Sequence, residues 1–211
     1  MPDRLIDPVV MAASTVMKLQ TIVSREVAPW DTAVVTVASI QAGDAENIVV
    51  DDAKMAIDVR TIDPKTRQKI KASIKRIVDA ECLAGNAVKE PTYVTTRSFP
   101  LTINDDAVTA KLEDTFKAHF KEDEHNYTSE IDKLGGSEDF SILGTAVGKP
   151  CSFFMYGGTD PELWDRCEAE GTLSEKIPIN HSGLFYPVIM PTLKIAVDAY
   201  AAAALTWLIK S

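Results

Sequence analysis

The feature that most constrains this fold is the C-terminal stretch, residues 189–209. Apolar side chains occupy nearly every side of the helix that these residues would form. The stretch also carries Lys194 and Asp198, and its uncharged part is too short to cross a bilayer core of about 30 Å. We therefore predict a helix that is covered on both sides within a protein, and we predict no membrane partner.

The residues that precede this helix offer little to cover it. Between residues 98 and 188 only one run, 151–156, is typical of a buried strand. Apolar side chains at helical spacing predict a helix from Asn104, and Asp160-Pro161 predicts the start of another. The sequence therefore predicts that residues 98–211 are the C-terminal part of an α/β domain whose other strands lie upstream.

Residues 1–97 show a different order, α-β-β-α-β. Asp7-Pro8 and Asp63-Pro64 each combine a capping carboxylate with a proline suited to the first helical position. Residues 33–40 are rich in Val and Thr, and residues 54–61 alternate between apolar and polar, so each predicts a strand. Residues 91–97 are predicted to form a further strand. We predict an α/β (α+β) chain whose domain 1–97 is a ferredoxin-like αββαβ sandwich lacking its first strand, with domain 98–211 following.

Charge and cysteine content limit the kinds of binding partner and the cellular compartments that we expect for this protein. The chain has 22 Lys and Arg residues against 31 Asp and Glu, a net charge of -9, which argues against a nucleic-acid partner. None of its three cysteines has metal-knuckle spacing, so free thiols in a reducing compartment are expected. The N-terminus lacks the apolar core of a secretory signal. We expect a cytoplasmic protein.

One of the three histidines is a candidate metal ligand. His119 falls on the polar side of a helix and His125 in an acidic loop, so both are interpreted as solvent residues. His181 lies in the loop 177–185, immediately before the terminal helix, where rigid neighbours can deliver an imidazole to a metal. The alternative is a loop histidine bonded to the backbone.

A second candidate stretch is Gly135–Ser141. Glu138 and Asp139 could act as a carboxylate pair in acid–base chemistry. They could equally be the acidic first turn of a short helix capped by Ser137. Ser137 has no histidine at a known motif spacing, so it is weakly supported as a nucleophile.

Asn47 and Arg60 are candidate substrate-binding residues. Asn47 follows a glycine loop, and Arg60 ends a predicted strand on its polar face. An amide and a guanidinium that converge can hold a carboxylate. The alternative is a turn asparagine and an unrelated surface arginine.

Several stretches together resemble one family. These stretches are 19–25, 33–37, 42–49, 136–141 and 180–182. In this order they resemble the lid domain and late catalytic-domain motifs of zinc-dependent aminoacylase and carboxypeptidase-type metallopeptidases. The most similar branch is that of the amidohydrolases, with hippurate hydrolase and the auxin-conjugate hydrolases.

This resemblance implies a two-domain hydrolase of N-acyl amino acids or short peptides, with zinc or another divalent metal in the full-length enzyme. It implies that His181 is a metal ligand and that Asn47 and Arg60 bind substrate. Gly136, Ser137 and Glu138 would line the site. It also implies a homodimer formed through the lid domain.

The sequence departs from the family pattern in ways that affect activity. The general base and the other metal ligands would lie upstream of Met1, so no catalytic residue is expected in this chain. We therefore expect it to be inactive alone and to bind no catalytic metal. Val50 and Gly183 stand where the family usually has proline.

Two other functions remain open. One is a non-catalytic interaction module that dimerises through an unpaired sheet edge. The other is a stand-alone small-molecule-binding domain, in which Asn47 and Arg60 would not converge.

Overall fold

The computed structural model describes residues 1–120, 127–131, 133–136 and 138–209. The chain separates into two compact units. The first unit is Met1–Leu101 together with a short segment that begins at Lys133, and the second contains Thr102 to residue 131 and the chain from Glu138 onward.

The helices and strands are numbered in chain order. The first unit contains a 3-10 turn at Pro2–Arg4, α1 at Pro8–Thr21, a π-helical turn at Ile22–Glu26, β1 at Ala33–Gln41, β2 at Lys54–Thr61 and α2 at Pro64–Ala84. The second unit contains α3 at Asp106–Phe120, α4 at Phe140–Thr145, α5 at Pro161–Ala169, α6 at Leu173–Lys176 and α7 at Thr192–Leu208.

The two predicted helix starts of the first unit are confirmed. An Asp7 Oδ1 oxygen accepts a hydrogen bond from the Val9 amide at 2.8 Å, where α1 begins. Asp63 Oδ2 accepts one from the Thr66 amide at 2.7 Å, where α2 begins. Each carboxylate thereby satisfies an amide that has no partner within the helix. The chain leaves α2 through Asn86, whose φ of 57° is in the left-handed region that ends many helices.

The sheet of the first unit is an antiparallel hairpin of β1 and β2. Ala33 lies opposite Thr61 and Gln41 opposite Lys54, with a register irregularity between Val37 and Ser39. Alternate side chains along both strands are half-buried. They pack against a core formed by four buried side chains of the helical segments: Leu19, Ile22, Ile70 and Ile77. Burial of a side chain of this size stabilises the fold by about 1.5–3 kcal/mol.

The strand predicted at residues 91–97 does not form. In the described part of the chain the sheet contains β1 and β2 alone. Tyr93 of this segment instead contacts α2, since its hydroxyl donates to Asp79 Oδ1 at 2.8 Å. Two residues beyond the segment, the Phe99 carbonyl accepts from Arg67 Nη1 at 2.9 Å. A strand requires a neighbour for its backbone groups.

The second unit is centred on α3 and α7. Leu112 and Phe116 of α3 and Ala199 and Ala202 of α7 form its buried core. An Asp105 Oδ1 oxygen caps α3 by accepting from the amides of Ala107 and Val108, so this helix begins two residues after the predicted start at Asn104.

The predicted strand at residues 151–156 is also not formed as part of a sheet. Among the described residues its backbone is bonded along one edge: Cys151 O accepts from the Asp105 amide at 2.9 Å, and the Phe153 amide donates to Asn104 Oδ1 at 2.7 Å. The described residues of the second unit provide no strand to pair with it.

The C-terminal helix is confirmed, but the described residues do not provide its predicted cover on both sides. Leu193, Val197 and Leu208 of α7 are 58%, 59% and 77% exposed. No helix among the described residues is long and apolar enough to cross a membrane.

Candidate functional site

Arg60 lies on the exposed face of the hairpin in the first unit. It sits near the end of β2, opposite Val34. Its Nε donates to Asp58 Oδ2 at 2.9 Å, and both side chains are about half exposed. The two residues are two positions apart in a strand and therefore point to the same face. An ion pair this exposed contributes about 1 kcal/mol or less to stability.

The Asp58 contact affects which guanidinium atoms remain for a ligand. Asp58 occupies Nε, so the hydrogen-bond donors of Nη1 and Nη2 are left at the outer end of the Arg60 guanidinium. Two parallel N–H groups can bind a carboxylate bidentately. Arg60 can therefore accept a carboxylate end-on while Asp58 restrains the base of its guanidinium.

Asn47 lies in the exposed loop between β1 and β2, residues 42–53. Gly43 has a φ of 67°, and a Cβ at this position would come within 2.7 Å of Val50 Cγ1. The loop therefore needs glycine there, both for the backbone angle and for space. Among the described residues Asn47 makes no hydrogen bond with Arg60, and their joint binding of a carboxylate stays a prediction.

His181 occupies the third position of a tight turn in the second unit. The Ser182 amide donates to the Ile179 carbonyl at 3.1 Å, which closes the turn around Asn180 and His181. His181 has a φ of 71° and an exposed side chain. Turns with positive φ at this position favour glycine or asparagine, so histidine is not the residue type that this backbone favours most.

Ser182 links this turn to a second one. Its carbonyl accepts from the Phe185 amide at 3.1 Å, and its hydroxyl accepts from the Leu184 amide at 3.2 Å. A Cβ on Gly183 would meet nothing within 4 Å, so space alone does not require glycine at the position where the family usually has proline.

The described residues do not fit a hydrolytic metal centre. No group of three or more His, Cys, Asp or Glu side chains in this part of the chain could hold a metal ion. A catalytic zinc takes three protein ligands in addition to water, so His181 alone could supply only one of them.

The stretch Gly135–Ser141 differs from the prediction at its start. Ser137 lies outside the described residues, as does His125, and Gly136 and Glu138 are exposed. Helix α4 begins at Phe140, and Asp139 precedes it without a side-chain cap. Glu138 and Asp139 therefore precede the helix instead of forming its first turn.

Sequence reasoning missed two polar features of the structure. The bond from Arg60 to Asp58 was signalled by their i, i+2 spacing on one strand face. The Ser141 hydroxyl is buried without a hydrogen-bond partner among the described residues. Nothing in the sequence around Ser141 distinguishes it from a serine that has a partner.

Residues 1–86 match the peptidase dimerisation domain of the M20 family. The similarity also extends into the second unit, since an IAA-amino acid hydrolase of Arabidopsis thaliana is 32% identical over 158 residues, 72% of this chain and 34% of that protein. Residues 1–86 therefore form a dimerisation domain of the M20 peptidase family. This membership confirms the resemblance found in the sequence.

Two further M20 relatives show the extent of the match. An N-acetyldiaminopimelate deacetylase of Anoxybacillus flavithermus is 40% identical over 77 residues, 36% of this chain and 20% of that protein. A Bacillus subtilis structure described as a dinuclear metal-binding peptidase of the M20 family has a TM-score of 0.60 at 22% identity, covering 97% of this chain and 47% of that chain. The chain thus spans less than half the length of these relatives.

Proposed function

We propose that this chain is the lid domain and the C-terminal part of the catalytic domain of a metal-dependent amidohydrolase. The reaction would be hydrolysis of the amide bond of N-acyl amino acids or short peptides. The observation that carries this proposal is the 32% identity to an IAA-amino acid hydrolase over 72% of the chain. This similarity is longer than the dimerisation domain alone, which ends at residue 86 of the match.

The proposal assigns roles to the candidate residues. Arg60 and Asn47 bind the carboxylate end of the substrate from the lid, which has the ferredoxin-like arrangement. His181 contributes one imidazole to a site for zinc or another divalent metal, and Gly136, Ser137 and Glu138 line that site. A boundary between residues 97 and 98 separates the lid from the catalytic part.

Hydrolysis itself belongs to the longer protein. The general base and the remaining metal ligands are expected outside this chain. We therefore expect the purified chain to release no amino acid from a panel of N-acyl amino acids, with or without added zinc, manganese or cobalt. Metal-dependent release by the chain alone would contradict this assignment of the active site.

Binding of the substrate carboxylate can be tested on the chain itself. NMR titration with N-acetylglycine should shift the Arg60 Nε–H resonance, and titration with its carboxamide should not. Arg60→Ala should abolish the response of the neighbouring amides. Arg25→Ala is the matched control, because Arg25 is another exposed arginine of the first unit. Equal responses to the acid and the carboxamide would remove Arg60 from the proposed site.

A non-catalytic dimerisation module is the second candidate. It is favoured by the two-stranded sheet, in which β1 and β2 each have one edge without a strand partner among the described residues. Unpaired strand edges promote pairing between chains. Sedimentation over a range of concentrations should show a homodimer, which both candidates expect. A monomer at all concentrations would count against both.

A further inference from the structure

Asp58 presents an available carboxylate oxygen beside the guanidinium of Arg60. Its Oδ2 oxygen accepts from Arg60 Nε at 2.9 Å, and the two side chains are 50% and 51% exposed. Among the described residues, Asp58 makes no other side-chain hydrogen bond or ion pair, so its Oδ1 oxygen is left for a ligand. An ionised carboxylate has about four lone-pair sites for donors, so one donor leaves most of its capacity unused.

The rest of the hairpin does not compensate the Asp58 charge. Strand β1 carries no charged side chain, and the loop 42–53 contains no Lys or Arg. Lys54 is the other basic residue of β2, and it lies on the same face as Asp58 because the two are an even number of positions apart. Four positions along a strand separate their Cα atoms by about 13 Å. Arg60 is therefore the cation that adjoins Asp58 within this hairpin.

The neighbouring strand adds a surface for an aliphatic chain. Val34 lies opposite Arg60, and Thr36 lies opposite Asp58. Both side chains are on the exposed face of β1, and Val34 is 47% exposed. Directly opposed residues of an antiparallel pair have Cβ atoms about 4.5–5.5 Å apart. The four residues therefore form one patch that combines a cation, an anion and an apolar side chain.

The Asp58 charge determines which ligands this patch favours. A carboxylate that binds Nη1 and Nη2 of Arg60 brings a negative charge close to Asp58, and the two negative charges repel each other. A ligand that also carries an ammonium group can donate it to Asp58 Oδ1, which offsets this repulsion. Specificity of this kind combines an attractive contact for one ligand with a repulsive one for its competitor.

We propose that Asp58 is a specificity-determining residue of the substrate site, and that the site favours N-acyl amino acids with an ammonium group on the side chain. The α-carboxylate binds Arg60, the methylene stem lies against Val34, and the ammonium group donates to Asp58 Oδ1. Side chains of the lysine and ornithine type carry a stem and an ammonium group in this order. This inference rests on the proposed function, because it takes Arg60 to bind the substrate carboxylate.

NMR titration of the chain with two ligands of matched shape tests the proposal. Nα-acetyl-lysine carries the ammonium group, and N-acetylnorleucine has nearly the same stem without it. The lysine derivative should bind about two- to fivefold more tightly at low salt, which is the range expected for an exposed ion pair. This preference should fall as the salt concentration rises, because exposed charges are screened.

Asp58→Asn should remove the preference. The asparagine carbonyl can still accept from Arg60 Nε, so Arg60 keeps this contact while the negative charge is lost. N-acetylnorleucine should bind this variant at least as tightly as it binds the wild type, because the repulsion is gone. Asp3→Asn is the matched control: it removes the same charge at an exposed position outside the hairpin, and it should keep the wild-type preference.

Two results would overturn this proposal alone. One is carboxylate-dependent binding of both ligands to the wild type with equal affinity. The other is a preference for the lysine derivative that Asp58→Asn retains in full. Failure of the proposed function has a different signature, since N-acetylnorleucine and its carboxamide would then shift the Arg60 Nε–H resonance equally. That result would overturn both the carboxylate site and the specificity assigned to Asp58.

Discussion

The first unit encloses its core, whereas the second leaves one side of its main helix uncovered. In the first, α1 and α2 cover one face of a hairpin, and Leu19, Ile22 and Ile70 are fully buried between them. In the second, α7 is packed on α3 by small side chains such as Ala199, while Leu208 on the same helix is 77% exposed. Both units contain well-defined helices. They differ in whether the described chain supplies a sheet to cover them.

A polar contact adds to the closure of the first unit. The Glu26 carboxylate, at the end of the π-helical turn, accepts hydrogen bonds from Ser73 Oγ and from Arg76 Nη2, both at 2.6 Å. Lys69 Nζ donates to the Glu26 carbonyl. Three side chains of α2 thus hold the end of the α1 segment. The first unit is therefore closed by directional bonds as well as by apolar packing.

The largest expected effect tests the apolar difference between the units. Ile70→Ala should lower the unfolding free energy of the first unit by about 2–5 kcal/mol, because a fully buried side chain is removed and a cavity remains. Leu208→Ala in the second unit should change stability by about 0.5 kcal/mol or less. Hydrogen exchange of the α2 and α7 amides measures the two units separately. Similar losses of unfolding free energy in the two variants would contradict the difference in core closure between the two units.

The next effect concerns the start of α2. Asp63→Ala should destabilise the first unit by about 0.5–2 kcal/mol, because the Thr66 amide loses its acceptor. Asp63→Asn keeps an oxygen at the cap and is the matched control, which should lose less. Hydrogen exchange of the α2 amides measures both variants. Equal losses for Ala and Asn would show that the negative charge, and not the hydrogen bond, carries the contribution.

The closing contact at Glu26 should make the first unit sensitive to acid. The bond from Ser73, followed by that from Arg76, lowers the pKa of the Glu26 carboxyl below its ordinary value of 4.5. A lowered folded-state pKa contributes stability that is present above 4.5 and is lost as the pH falls through the folded-state pKa. The effect should be about 1 kcal/mol or less, because the group is partly exposed.

The unfolding free energy of wild type and Glu26→Gln, measured between pH 7 and pH 3, checks this expectation. The difference between them should be constant at neutral pH and should shrink below 4.5. Asp63 and Asp79 also have lowered pKa values, so both proteins lose stability in acid for other reasons. A difference that stays constant to pH 3 would show that the Glu26 charge contributes nothing.

Local signals predicted the helices better than the sheet. The Asp-Pro pairs at Asp7 and Asp63 carry their own hydrogen-bond acceptors, so a few adjacent residues suffice to start α1 and α2. Alternation likewise predicted β1 and β2, which lie close in sequence and pair with each other. Residues 91–97 and 151–156 have strand composition, yet strand propensity does not reveal whether a partner strand is available. Their pairing was therefore beyond what local pattern could predict.

The candidate site shows the same limit. Alternation along β2 correctly predicted that Asp58 and Arg60 lie on its polar face. It did not predict the hydrogen bond between them. The left-handed backbone of His181 was not foreseen, because the enrichment of histidine in this conformation is too weak to predict it at a single position. Helix α6, Leu173–Lys176, was missed because four residues are too few to show a helical period.

The smallest expected effect is that of His181→Gly in the left-handed turn, with His181→Val as its contrasting variant. His181→Gly should raise the stability of the second unit by about 0.5 kcal/mol, because glycine adopts a φ of 71° without steric cost. His181→Val should lower it by about 1–2 kcal/mol, because a β-branched side chain tolerates this backbone poorly. Hydrogen exchange around Ser182 and Phe185 measures both variants. If His181→Gly stabilises the second unit, then the histidine destabilises its turn. A residue that lowers stability in this way is better explained by a role as a metal ligand. If His181→Gly instead destabilises the turn, then the imidazole is held by contacts of its own, and the strain no longer argues for a metal-binding role.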